Sequence, residues 1–274
     1  MKAKLKSLIE TKFPQLVARY RGKKFERLRT QLRPYKSEWG FTINGDMSYA
    51  MGFGRADTNR IQSGEAQAIL KQLEGAELFI DIGANIGVLS MLASQNGCPQ
   101  VIAVEPAKHN CQFLLENIES NNFQNITVFP MAMSAGSGVA TIQGEGEMAS
   151  LTENWNGVSA TVSSRVPTIG FDDLFLAQIQ QKRTLVKIDA EGHELEVMKG
   201  AIHSISQDDP PIWIIEHPIE TDTECSPSKD PLIKLFLENG YRCRSLEAPE
   251  VKISARDENT ASSYDSILNL LFWK

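Results

Sequence analysis

The chain has no CxxC pair, and its four cysteines (Cys98, Cys111, Cys225 and Cys243) are scattered over 274 residues. That spacing excludes a zinc ribbon and offers no disulfide framework. The opening residues do not read as a secretory leader, so a reducing, cytoplasmic setting is expected. Long apolar runs are missing too. The greasiest stretches, Ile212–Ile215 and Ile267–Trp273, are strand-sized, well short of the roughly 20 residues a membrane-crossing helix needs. Aromatic residues make up only 8%, beside 42% apolar and 23% charged, which rules out a collagen-like, coiled-coil or wholly disordered chain. The length suits one well-filled domain with an appendage.

A net charge of −6 is mild, but it is unevenly spread. Residues 1–36 hold twelve Lys and Arg against Glu10 and Glu26, a net of +10, which leaves −16 on the remainder. Within that basic segment Leu5, Leu8, Ile9, Phe13, Leu16, Val17 and Tyr20 fall at helical stripe spacing, and Pro14 divides the stripe into two short helices. Such a stretch suits an anionic membrane surface or an acidic partner. The reading favoured here is a surface helix packed on the acidic body of the same chain or on a second copy, as in a homodimer. No helix-turn-helix pattern or interleaved aromatics accompany the charge, so nucleic acid is not expected as a partner.

From about residue 76 short apolar runs alternate with helical patterns. Strands are expected at Leu78–Asp81, Val101–Glu105, Ile126–Phe129, Leu185–Asp189 and Ile212–Glu216. Helices are expected through Ala93, from His109 to Ser120 and from Glu194 to Ile205. Continuous apolar strands with intervening helices predict a parallel sheet covered on both faces. Residues Ala135–Asp173 break the rhythm and read as an antiparallel excursion (Val139–Ile142, Ala160–Val166) with a loop near Gly144–Asn156. Ser266–Trp273 reads as an antiparallel edge strand closing the sheet. This divides the chain into a helical extension, residues 1–75, and a catalytic-type α/β domain, residues 76–274.

Three segments carry chemistry. The first, Phe79–Gly87 (FIDIGANIG), is a strand ending in Asp81, then a glycine turn, then a helix, which places backbone N–H groups at the strand's carboxyl end. Its GxxxG spacing is not the GxGxxG of nicotinamide sites. A carboxylate before the first glycine repels a pyrophosphate and attracts a sulfonium or ammonium. In the second, Glu105 closes the next strand eighteen residues after Gly87, near the offset at which a carboxylate accepts ribose hydroxyls. Together the two carboxylates point to a cationic nucleoside, S-adenosylmethionine. The third, Leu185–Lys199 (LVKIDAEGHELEVMK), puts Asp189 at another strand end with Glu191, His193 and Glu194 just beyond it, groups suited to acid–base work or to ligating a metal. Glu216 and His217 end the fifth strand.

FIDIGANIG, VIAVEP, VPTIGFDDL and LVKIDAEGHELEVMKGA, in this order and spacing, resemble the FkbM-type S-adenosylmethionine-dependent methyltransferases over residues 76–218, and more loosely through Trp273. The resemblance implies an α/β class I (Rossmann-like) methyltransferase fold: a seven-stranded sheet with helices on both faces and an antiparallel last strand. It implies that Asp81, Gly83, Asn85 and Gly87 hold the methionine end, that Glu105 holds the ribose, and that Ala132 and Met133 lie near adenine. It implies O-methylation of a hydroxyl on a sugar, polyketide or other small metabolite. The segment after Glu105 departs from the family, with Ala107 where an Asn is usual.

Methyl transfer to a hydroxyl needs a proton acceptor, and Asp189, Glu191 and His193 are the catalytic candidates, with Asp189 or His193 as base. A magnesium-assisted variant would use Asp189, Glu216 and His217 as ligands, since a bound cation lowers a hydroxyl's pKa. Met148 and Trp155, in the irregular loop, read as packing residues or an acceptor cover. Two readings stand as alternatives: a nicotinamide-dependent oxidoreductase, disfavoured by the glycine spacing, and a non-catalytic S-adenosylmethionine-binding module, disfavoured because Asp81 and Glu105 are both present.

Overall fold

The computed structural model describes residues 34–37, 39–45, 63–144, 149–152, 163–219, 230–246, 252–253 and 266–274. The chain forms two compact units, Met1–Ile61 and Gln62–Lys274. In the first, the described part is a small antiparallel hairpin of β1 (Tyr35–Lys36) and β2 (Thr42–Ile43), in which Trp39 stacks on Phe41. Residues 1–75 were expected to form a helical extension, with the amphipathic stripe over Leu5–Tyr20. Residues 35–36 are strand instead, and the stripe lies outside the described residues.

The second unit opens with α1 (Ser63–Gln72) and β3 (Leu78–Ile82), followed by α2 (Val88–Gln95), β4 (Gln100–Val104), α3 (Lys108–Ser120) and β5 (Ile126–Phe129). After an insertion come α4 (Phe171–Ile179), β9 (Thr184–Ile188), α5 (Glu194–Lys199), α6 (Ile202–Ile205), β10 (Ile212–Ile219), α7 (Pro231–Glu238), β11 (Arg242–Ser245), β12 (Lys252–Ile253) and β13 (Ser266–Trp273). The main sheet runs β12-β11-β13-β10-β9-β3-β4-β5. Strands β5, β4, β3, β9 and β10 are parallel and β13 is antiparallel to β10. The order steps outward from β3 in both directions, so a switch point lies between β3 and β9, where open α/β sheets place their ligands. This is the class I methyltransferase sheet, with the two-residue β12 added at its edge.

Alternation along the strands divides the core. Leu78, Ile80, Ile82, Val186, Ile188, Trp213 and Ile215 pack under Phe171, Phe175, Val197, Met198 and Phe236 of α4, α5 and α7. Their neighbours Phe79, Val101, Leu185 and Ile214 face Ile69, Leu73 and Ala93 on the other side. Asp230 caps α7, accepting from Leu232 N at 2.9 Å and Ile233 N at 3.0 Å, with Pro231 supplying a preset first turn.

Two expectations are corrected, and the antiparallel excursion is found with one strand more than expected. Strand β13 is antiparallel as expected but interior, because β11 pairs on its outer side. The helix expected over Glu194–Ile205 is two, α5 and α6: Gly200 lies where a Cβ would come within 2.2 Å of Ser134 O, so the chain turns there against the strand Ala132–Ser134. The excursion is a separate three-stranded sheet of β6 (Ala132–Ser134), β7 (Gly138–Gln143) and β8 (Ser163–Gly170), in which β6–β8 is parallel and β7–β8 antiparallel. Met148 and Trp155 lie outside the described residues.

Candidate active site

A crevice with about 540 Å³ of empty space, part of it continuous with solvent, opens at the carboxyl ends of β3, β4 and β9. Gly83, Asn85, Glu105, Met133, Asp189, Glu191 and His193, all expected at the site, line it together. Ala132 lines it as well.

The turn after β3 is shaped by backbone contacts. Gly83 has φ +78°, and a Cβ there would lie 1.8 Å from the carbonyl oxygen of Asp189, so this position admits no side chain. Its N–H and that of Ala84 donate to Val104 O at 2.9 and 3.0 Å. Asn85 follows at φ 53° and donates its backbone N–H to Glu105 Oε2 at 2.9 Å. Gly87 does not line the crevice. A Cβ there would meet Leu114 Cδ1 at 2.3 Å, so it is small for the packing of α3.

Glu105 is 4% exposed and accepts from Asn85 N, from Ala107 N at 2.8 Å and from Asn110 Nδ2 at 3.2 Å. Burial nevertheless pushes its carboxyl up to about 7, because desolvation outweighs those donors. The departure at Ala107 is thereby accounted for. Its backbone N–H reaches the carboxylate, and the amide comes from Asn110, in the first turn of α3.

Asp81 is placed differently. It is 2% exposed, accepts from Ser90 Oγ of α2 at 2.6 Å, and is not among the crevice residues. It shares the face of Phe79, which the pleat turns toward α2. The expectation that it attracts a cationic ligand directly is corrected. The carboxylates lining the crevice are Glu105, Asp189 and Glu191.

Across the crevice, Asp189 N donates to Ile82 O at 2.9 Å. The next turn carries Glu191 at φ 48° and Gly192 at φ 89°. Glu194, 3% exposed, accepts from Ala190 N at 3.1 Å and Gly192 N at 3.0 Å. It therefore braces this turn, and burial raises its carboxyl above the usual range. From the insertion, Ser150 Oγ donates to Glu191 O at 2.6 Å and Thr152 Oγ1 to Gly192 O at 3.0 Å, clasping the turn from outside. His193 lies at the start of α5, with Nε2 3.0 Å from Ser134 Oγ, and burial lowers it below the ordinary imidazole value.

The metal set is corrected. The ammonium of Lys187, 1% exposed, lies 3.7 Å from Asp189 Oδ2 and 3.9 Å from Glu216 Oε2, where a shared cation would sit. His217 is turned to Asp230, with Nε2 2.8 Å from Oδ2, and neither Glu216 nor His217 lines the crevice. Among the described residues no three His, Cys, Asp or Glu side chains are placed to hold a metal. Sequence reading passed over Asn110, Ser134, Ser150 and Lys187 as site residues. Of these only Lys187 carried a signal, a charge in the middle of the apolar strand Thr184–Ile188.

No helix among the described residues is long and apolar enough to cross a membrane. Among solved structures, the chain is similar to the precorrin-6y C5,15-methyltransferase of Geobacter metallireducens (12% identical, TM-score 0.43, covering 81% of this chain and 94% of that one). It is also similar to M. jannaschii TYW2 in complex with AdoMet (13% identical, TM-score 0.44, covering 88% and 84%). At scores below 0.5 the fold assignment rests on the strand order above. A curated relative, the hexuronic acid methyltransferase AglP of Haloferax volcanii, is 31% identical over 139 residues, which is 50% of this chain and 55% of that protein. The model of the methyltransferase FkbM domain matches residues 81–243, well over half of the chain and every crevice segment described above, and the chain belongs to that family.

Proposed function

We propose that the protein transfers the methyl group of S-adenosylmethionine to a hydroxyl oxygen of a sugar or similar small polyhydroxylated metabolite, with residues 76–274 as the methyltransferase domain and residues 1–75 as its extension. The observation that carries this reading is the crevice itself. A glycine turn and a buried, amide-braced Glu105 face Asp189 and His193 across the switch point of the sheet. The residues fit the nucleoside. Glu105 keeps a lone pair on Oε2 for a ribose hydroxyl, Met131, Ala132 and Met133 offer an apolar wall for adenine, and Gly83 leaves room for the amino-acid end. Buried Asn85 Oδ1 has no hydrogen-bond partner and is an acceptor suited to an ammonium group. When bound, the cofactor supplies an electrophilic methyl on a sulfonium.

The chain's own residues position the acceptor, exclude water and take its proton. Asp189 is the base in this reading, because it lines the crevice and both its backbone and its side chain are held in place. A second reading makes His193 the base, favoured by the lowered imidazole, which is neutral near pH 7 and able to accept a proton. The curated relative's hexuronic acid supports a sugar acceptor. Residues 1–36 are proposed as a contact for a second copy or for an anionic membrane surface, which sedimentation with and without anionic vesicles tests.

Calorimetric titration with S-adenosylhomocysteine beside NADH tests the cofactor. Binding of the first alone is expected, and binding of NADH or of neither overturns the reading. Release of S-adenosylhomocysteine from S-adenosylmethionine in the presence of D-glucuronic acid and of neutral hexoses then tests the acceptor class.

A further inference from the structure

Lys187 is a fully buried cation in the central strand of the main sheet, and nothing in the methyl-transfer chemistry calls for it directly. Burying an ammonium is costly unless carboxylates accompany it. Its surroundings are unusual. Strands β9 and β10 run in parallel register, with Lys187 opposite Ile214 and Ile188 opposite Ile215. One rung further, beyond the last residues that these two strands pair, the carboxylates of Asp189 and Glu216 stand side by side. Asp189 lies just past the end of β9, and Glu216 does not end its strand as expected but lies within β10 opposite Asn269 of β13. Like charges in such positions repel each other. The Lys187 ammonium lies beneath both, 3.7 Å from Asp189 Oδ2 and 3.9 Å from Glu216 Oε2. Across the β3–β9 ladder it is also in register with Asp81.

We propose that Lys187 is a positioning residue: it neutralises the Asp189–Glu216 pair and so keeps the Asp189 carboxylate at the wall of the crevice and available to the acceptor. This rests on the reading of Asp189 as base. The charged and titratable groups facing the trio are Asp81 from β3, Glu105 beyond β4 and Glu194 from α5, while His217, next along β10, is turned to Asp230. Without the ammonium the two carboxylates face each other with no cation beside them, and mutual repulsion disfavours the arrangement that keeps Asp189 at the crevice wall.

The test follows the carboxyl carbons of Asp189 and Glu216 by NMR in the S-adenosylhomocysteine-bound protein, assigned with Asp189→Asn and Glu216→Gln. In Lys187→Met the Asp189 midpoint is expected to rise by about 1 pH unit or more, since an adjacent opposite charge is worth roughly 1–3 units. Lys187→Arg should keep it in place. Lys187→Met/Glu216→Gln should bring it back down, because the repelling neighbour is gone, and a merely structural lysine gives no such rescue. An Asp189 midpoint unmoved in Lys187→Met, or one that the double variant leaves raised, overturns the proposal. If Lys187→Met does not fold, Lys187→Gln/Glu216→Gln compared with Glu216→Gln asks the same question, and an unchanged midpoint is the overturning result. The readout needs no turnover. Full activity of Asp189→Asn would therefore refute the base, while a flat titration would refute only the role of Lys187.

Discussion

The two walls of the crevice hold their carboxylates by different means. On the β3–β4 side, Glu105 is held by two backbone N–H groups and one side-chain amide, donors fixed by the turn after β3 and the start of α3. On the β9–β10 side, Asp189 shares the one buried ammonium of Lys187 with Glu216, which does not line the crevice, and Ser150 and Thr152 clasp the turn above. Backbone donors are indifferent to the side chains around them, so the first wall suits a cofactor that never changes. The second wall depends on side chains from several elements, so substitutions in any of them can alter it.

The largest expected effect lies on the second wall. Asp189→Asn should lower kcat by about 10²–10⁴-fold, the usual worth of a positioned base, while S-adenosylhomocysteine affinity stays within about threefold. If His193→Gln shows that loss and Asp189→Asn does not, the roles are exchanged. Gly83→Ala should breach both walls at once. Its Cβ would fall 1.8 Å from Asp189 O at a positive φ, costing about 2–4 kcal/mol, roughly 5–15 °C in Tm, along with cofactor binding. Thermal melts with and without S-adenosylhomocysteine measure both.

Glu105→Gln confines the damage to the first wall, weakening S-adenosylhomocysteine binding about 10–100-fold, the worth of charge-assisted hydrogen bonds. It also carries a pH test. The unfolded carboxyl titrates near 4.5 and the folded one at about 7, so between these values the folded state holds more protons. Stability contributed by this group therefore declines as pH rises from 4.5 to 7 and is level above that. The glutamine variant should lack that decline in denaturant titrations across the window.

A smaller effect is expected away from both walls. Asp172→Ala removes the cap that accepts His203 N at 2.7 Å and Ser204 N at 2.9 Å. It should cost about 1–2 kcal/mol of stability with cofactor affinity unchanged. The smallest is none: excess chelator should leave turnover as it was, since the position between Asp189 and Glu216 is taken by an ammonium.

What could be read without coordinates follows the same division. The glycine turn, Glu105 and the KIDAEG segment were legible because strand–turn–helix geometry at a switch point places backbone and strand-end residues wherever the chain goes. Asp81 was misread because a strand-end carboxylate faces either the ligand or a helix according to the pleat and the final turn, and its partner Ser90 lies nine residues on. Ser134, Ser150 and Asn110 were passed over since a lone serine or asparagine carries no periodic signal until β6, the insertion and α3 are folded onto the sheet. The metal set failed for a related reason. Carboxylates read as standing at neighbouring strand tips look like ligands until the lysine two residues earlier is seen to share their face.

The close approach of Gly83 to the Asp189 carbonyl welds the glycine turn proposed to face the methyl donor to the residue proposed as base. Anyone retargeting this protein by directed evolution should therefore freeze positions 83 and 189, leave the proposed adenine wall of Met131 and Met133 intact, and place library diversity at Ala149 and Leu151. These line the same crevice without forming that joint, so changing them reshapes the acceptor's surroundings while the reacting atoms keep their alignment.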